Sequence, residues 1–148
     1  MVTSQRKAPD TAPPAQTESP RLYAIDLEWY QAAGRSLEQA LKERRCSACQ
    51  EEMRRGKAPV SAEEHLHQVR THCSRKSDYL GDRMPLMEVV FRLLLRGGNA
   101  PKSIEELYRD LSAHLEARPY SRVLPLRWVE RIVSANNPYG VRQVDSQE

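Results

Sequence analysis

Cys46-Ser47-Ala48-Cys49 sets two thiols two residues apart, and His65, His67, His72 and Cys73 follow within 24 residues of Cys49. This cluster constrains the fold because the chain around it has little else to fold on. Counting Val, Ile, Leu, Met, Phe, Trp and Tyr, residues 21–82 hold 14 and residues 83–144 hold 25. A stretch so short of apolar side chains needs a staple. Two thiolates at this spacing form the usual first half of a closed tetrahedral zinc site, completed from a helix or a later pair. Two rival readings are a redox pair and plain unligated cysteines. The redox pair should follow a strand in a βαβ unit, whereas Cys46 follows the charged segment Lys42-Glu43-Arg44-Arg45.

Helix geometry narrows the second half of the site. Ligands on one helix should lie three or four residues apart, and no two of positions 65, 67, 72 and 73 do. His65 and His72 share a face but are about 10 Å apart along it. The adjacent pair His72-Cys73, at a helix end, is close without further assumptions. The expected ligands are therefore Cys46, Cys49, His72 and Cys73, with His67 as the alternative to His72, since finger spacings allow H-x3–5-H over a distorted last turn. Four protein ligands leave no open position, so the expected Zn2+ is structural.

Residues 1–20 carry four of the ten prolines and no large apolar side chain, the composition of a disordered tail. Residues 21–82 then read as a zinc-binding helical lobe and residues 83–148 as a second domain. Asp26 caps a helix over Leu27–Ala33, stopped by Gly34. Ser36 with Gln39 opens one to about Arg45, and Ser61 with Glu64 one to about His72. Helices are also expected from Pro85 to Arg96 and from Ser103 on, the latter with Ile104, Leu107, Tyr108, Leu111 and Leu115 on one face. A last helix, from Pro125 to Ala135, should bury Trp128, Val129, Ile132 and Val133. Tyr139–Val144 reads as a strand. The fold class is mainly α, a small zinc-stabilised lobe beside a three-helix domain with a short β element.

Helix, extended Ala100-Pro101-Lys102, helix, helix, strand is an order that resembles the winged-helix family. LMEVVFRLLLRGGNAPKSIEELYRDL matches its first two helices, LPLRWVERIV its recognition helix and PYGVRQV the start of its wing. Little chain follows for a second wing strand. The run of IDLEWY, CSAC, HC and PLMEVVFRLLL is also similar to short uncharacterised bacterial proteins that pair a zinc lobe with a winged helix. The resemblance implies a third helix lying in a major groove, with Arg127, Glu130, Arg131 and Ser134 outward. Between residues 118 and 142 stand Arg118, Arg122, Arg127, Arg131 and Arg142 against the single acid Glu130, a phosphate-binding set. A second basic group, Lys42, Arg44, Arg45, Arg54, Arg55 and Lys57, flanks the CxxC and serves either phosphate contact or solubility. Trp29 and Tyr30 are expected in the core rather than stacked on bases.

Net charge is +3, which permits a nucleic-acid partner without requiring one. No apolar run approaches the roughly 20 residues of a membrane span, and the N-terminus lacks the apolar stretch of a secretory signal. Three cysteines, an odd number, fit a reduced cytoplasmic chain better than a disulfide framework. Phosphate-loop, dinucleotide, nucleophile-elbow and HExxH motifs are missing, so neither an enzyme nor a small-molecule substrate is expected. The expectation is a zinc-containing nucleic-acid-binding protein, a regulatory module on duplex DNA. The alternative is a non-catalytic adaptor docking on a larger protein or nucleoprotein complex.

Overall fold

The computed structural model describes residues 21–56, 61–117 and 124–144. The proposed tail (residues 1–20), Lys57, Arg118 and Arg122 lie outside these. Along the chain come β1 (Leu22–Ile25), α1 (Leu27–Ala32), α2 (Leu37–Lys42), α3 (Ser47–Arg54), α4 (Ala62–Thr71), a 3-10 turn (Cys73–Arg75), α5 (Leu86–Arg96), β2 (Lys102–Ser103), α6 (Ile104–Glu116), α7 (Leu126–Ser134) and β3 (Val141–Val144). The chain is mainly helical with one small sheet.

Local side-chain chemistry starts four of the helices. The Asp26 carboxylate accepts from the amides of Glu28 and Trp29, and Ser36, Ser61 and Ser103 each accept from the amide three residues on. Only Ser103 has the reciprocal arm, with Glu106 accepting from the Ser103 amide at 2.8 Å. Each cap satisfies donors that the first turn leaves orphaned. α2 stops at Lys42, short of Arg45. α3 was not expected at all, because no polar side chain caps its start. β3 is shorter than foreseen, beginning at Val141.

The sheet has the order β2-β1-β3, both pairings antiparallel. β1 was also unforeseen. It pairs Leu22 with Val144 and Ile25 with Val141 on one side, and Leu22 with Ser103 on the other. Where β2 runs out, the Asn99 side chain continues the ladder: Ile25 N–H donates to Asn99 Oδ1 at 2.8 Å and Asn99 Nδ2 donates to the Ile25 carbonyl at 3.0 Å. Asn99 does this from the left-handed region, φ 63°, which asparagine tolerates better than most residues.

α5 is the axis of the core. Val89, Val90, Phe91, Leu93, Leu94 and Leu95 are all buried, an apolar face that covers most of the helix and leaves a narrow polar strip at Glu88, Arg92 and Arg96. Against it pack Tyr23 and Ile25 of β1, Tyr30 of α1, Leu41 of α2, Val69 of α4, Leu107 and Leu111 of α6, Val129 and Val133 of α7, and Val141 of β3. Residues 21–82 and 83–144 thus share one core rather than owning one each. Glu88 of α5 ties them further. It accepts from Arg44 Nη2 at 2.8 Å and Nε at 3.0 Å, and from Arg92 Nε at 2.7 Å, with Arg44 lying 4.7 Å over the Phe91 ring.

α7 corrects one expectation. Val129 and Val133, four apart, form its inner face, while Trp128 is 49% exposed and Ile132 only partly buried. A step of about 100° from Val129 carries Trp128 off the buried stripe. Tyr30, as expected, is core, and Trp29 packs partly buried against it.

Candidate metal centre

Cys46 is the residue before α3 and Cys49 lies in its first turn, so the helical path brings both thiols to one side. His72 ends α4 with φ −129° and ψ −62°, and the chain tightens at once into the 3-10 turn that starts with Cys73. That departure from helical geometry lets two adjacent side chains converge, which an unbroken helix would forbid. The ligand atoms of Cys46, Cys49, His72 and Cys73 all lie within 4.8 Å of one another.

The spacing is informative in detail. His72 Nδ1 lies 3.7 Å from Cys46 Sγ, 3.5 Å from Cys49 Sγ and 3.8 Å from Cys73 Sγ, and the sulfurs of Cys49 and Cys73 are 3.8 Å apart. A tetrahedral centre with metal–sulfur bonds of about 2.3 Å and a metal–nitrogen bond of about 2.0 Å sets S···S near 3.8 Å and S···N near 3.6 Å. A disulfide needs S–S of about 2.05 Å, and all three cysteines are free. The four residues could therefore hold a metal ion, with Nδ1 as the histidine donor. His67, the alternative, is exposed on the outer side of α4 and takes no part in the cluster.

The electrostatics of the thiols fit a cation better than three protons. Burial opposes charge on Cys46, but hydrogen bonds from the Cys49 amide, the Cys49 and Cys73 thiols and the Ala48 amide outweigh it and hold its thiol below the usual value. Burial pushes the Cys73 thiol up to about 11, and the charge of the neighbouring Cys49 adds to this. Three sulfurs this close cannot all ionise unaided, whereas a bound divalent ion deprotonates its thiols outright.

α3 has little packing outside this cluster. Its single buried residue is Cys49, and among the described residues it packs closely on no other helix or strand. α4 is anchored separately, through Val69 in the core and contact with α2 and α5.

Two further side chains gather here that sequence spacing did not single out as a pair. Arg45 Nη1 lies 2.7 Å from Nδ1 of His65. His65, 2% exposed, is the one buried polar or charged residue among those described, and burial with the neighbouring Arg45 holds it below its ordinary pKa. A guanidinium only donates, so Nδ1 is the acceptor in this contact and the ring proton is assigned to Nε2.

The candidate nucleic-acid residues distribute differently. Arg127 and Arg131 are exposed on α7, and Arg142 is exposed on β3, 5.9 Å over the Trp29 ring. Arg21, which sequence reasoning passed over, joins them: it pairs with Glu130 at 3.5 Å and with Arg142 lines a polar cleft beside Ser134 and Asn136. The basic group around the CxxC divides, with Lys42, Arg54 and Arg55 exposed and Arg44 and Arg45 partly buried. Arg44 turns inward to Glu88, Arg45 to His65, and Arg54 and Arg55 both pair with Glu51. No helix among the described residues is long and apolar enough to cross a membrane. Neither a family model, nor a curated protein, nor a solved structure matches this chain.

Proposed function

We propose that the protein is a zinc-stapled nucleic-acid-binding module, a regulatory protein on duplex DNA, that meets its target through the outer face of α7 and the strands beside it. The observation that carries the reading is the exposed arginine set on contiguous elements: Arg127 and Arg131 on α7, Arg142 on β3 and Arg21 before β1, with Glu130 already paired to Arg21. Arginines so arranged neutralise phosphates and release counterions. The helix–strand–helix–helix–strand order from α5 to β3 supports the winged-helix reading. So does β1, which lies between β2 and β3 where the returning strand of a wing hairpin would otherwise be needed. Zinc is the ion that a Cys3His set with tetrahedral spacing favours, and a closed set makes it structural.

A second reading has its own observation. Leu126 and Trp128 are exposed at 39% and 49%, and Arg131 lies 5.7 Å over the Trp128 ring. Exposed tryptophan beside arginine is the composition of a protein-binding hot spot, which favours the adaptor. Binding of the whole protein to random duplex DNA across a salt series separates the two. The nucleic-acid reading expects affinity that falls steeply with salt, and a log–log slope reduced by about 2 in the double variant Arg127→Ala, Arg131→Ala. The variant should keep its thermal stability, since both side chains are exposed. No binding at about 50 mM salt, or a flat slope, removes the nucleic-acid reading and leaves the adaptor.

A further inference from the structure

Three thiolates and a neutral imidazole around a divalent ion carry one net negative charge. In a partly buried site that charge is costly unless something positive stands beside it. Arg45, the residue before Cys46, is a basic side chain placed beside this cluster. Its Nε–H is buried and has no hydrogen-bond acceptor, a state that costs a charged donor more than a neutral one. Its Nη1 is held at 2.7 Å by His65. Arg45, Cys49 and His72 line one and the same cleft at the cluster.

We infer that Arg45 is the counter-charge of the metal centre: it shares a cleft with Cys49 and His72, its buried Nε–H still lacks an acceptor, and the Arg45–His65 contact fixes its place. The inference rests on the metal-site reading and extends it to the residue that sets how tightly the ion is held. A thiol is a poor acceptor and leaves the Nε–H unsatisfied, whereas a metal-bound thiolate is a strong one. Groups of this kind outside the ligand ring are worth about 10–100-fold in metal affinity. His65 acquires a role as well: a neutral imidazole accepts from Nη1 without competing for the ion.

The test is Co2+ binding to the whole protein at fixed pH, followed by thiolate-to-cobalt absorption, then Zn2+ affinity by competition. It compares the natural protein with Arg45→Met, Arg45→Gln and Arg45→Lys. The natural protein should bind one Co2+ with tetrahedral thiolate absorption. Met and Gln should weaken Zn2+ binding about 10–100-fold, and Lys, which keeps the charge, should recover most of the loss. Circular dichroism of the loaded forms checks that the helices are intact, and Gln decides if Met does not fold. If Met or Gln binds as tightly as arginine, or if Lys falls as far as Met, Arg45 is not the counter-charge although the site stands. If the natural protein gives no thiolate–cobalt absorption, the metal site itself is wrong and the inference goes with it.

Discussion

Glu88 and Gly140 show how single residues hold this molecule together. The Glu88 side chain is 12% exposed and serves two guanidinium groups. Glu88→Gln would take from Arg92 its carboxylate partner and leave Arg44 only the exposed Glu43 at 3.6 Å. Chemical denaturation should show a loss of about 3 kcal/mol, in line with broken buried pairs. Burial raises the Glu88 pKa, but the hydrogen bonds from Arg44 and Arg92 prevail and hold it below its ordinary value of 4.5. A depressed carboxylate stabilises the fold above its unfolded pKa, and that stability disappears as pH falls through the folded value. Melting temperature should therefore drop more steeply in the natural protein than in Glu88→Gln between about pH 5 and pH 3; parallel curves would contradict this. Gly140 has φ +75°, and an added Cβ would sit 2.7 Å from Trp29 Cε3 and 3.0 Å from Tyr30 Cε1. Gly140→Ala should cost about 2 kcal/mol or more by the same denaturation, through strain and collision together.

At the scale of elements, what could be read from the sequence was what local chemistry decides. Asp26, Ser36, Ser61 and Ser103 each act on amides two or three residues away, so four helix starts were legible. α3 was not, because its cap is a cysteine that makes no capping hydrogen bond and its one buried position is a thiol; the cluster takes the place of the usual signals. β1 was hidden for a different reason. Its partner β3 lies over a hundred residues on, and Tyr23, Ala24 and Ile25 are buried in succession, so no polar–apolar alternation marks it. That Cys46, Cys49, His72 and Cys73 come together could be read from the exclusion of helical spacings alone, with the exit of the chain at His72 as the structural basis. Trp128 was misjudged because an apolar side chain near a buried stripe looks like part of it. α7 offers the check: Val129→Ala should lower stability by about 2 kcal/mol, whereas Trp128→Ala should change it by less than about 0.5 kcal/mol. Equal losses in thermal melts would return Trp128 to the core.

At the scale of the whole molecule, the apolar shortage of residues 21–82 is met by two devices. β1, α1, α2 and α4 borrow the core built around α5, while α3 and the start of the 3-10 turn meet at the Cys/His cluster, which could hold an ion. The shared core predicts one cooperative transition, with tryptophan emission and far-ultraviolet circular dichroism changing together; two separated transitions would mean independent cores. Metal removal by a chelator should release α3 and lower the melting temperature, because an ion bound only by the folded chain adds its binding free energy to stability. The most direct measurement is native mass spectrometry of the whole protein beside its Cys49→Ser variant. The account predicts one zinc ion per chain in the former and loss of that ion, or strongly weakened retention, in the latter. A natural chain that carries no metal and shows the mass of a Cys49–Cys73 disulfide would contradict it.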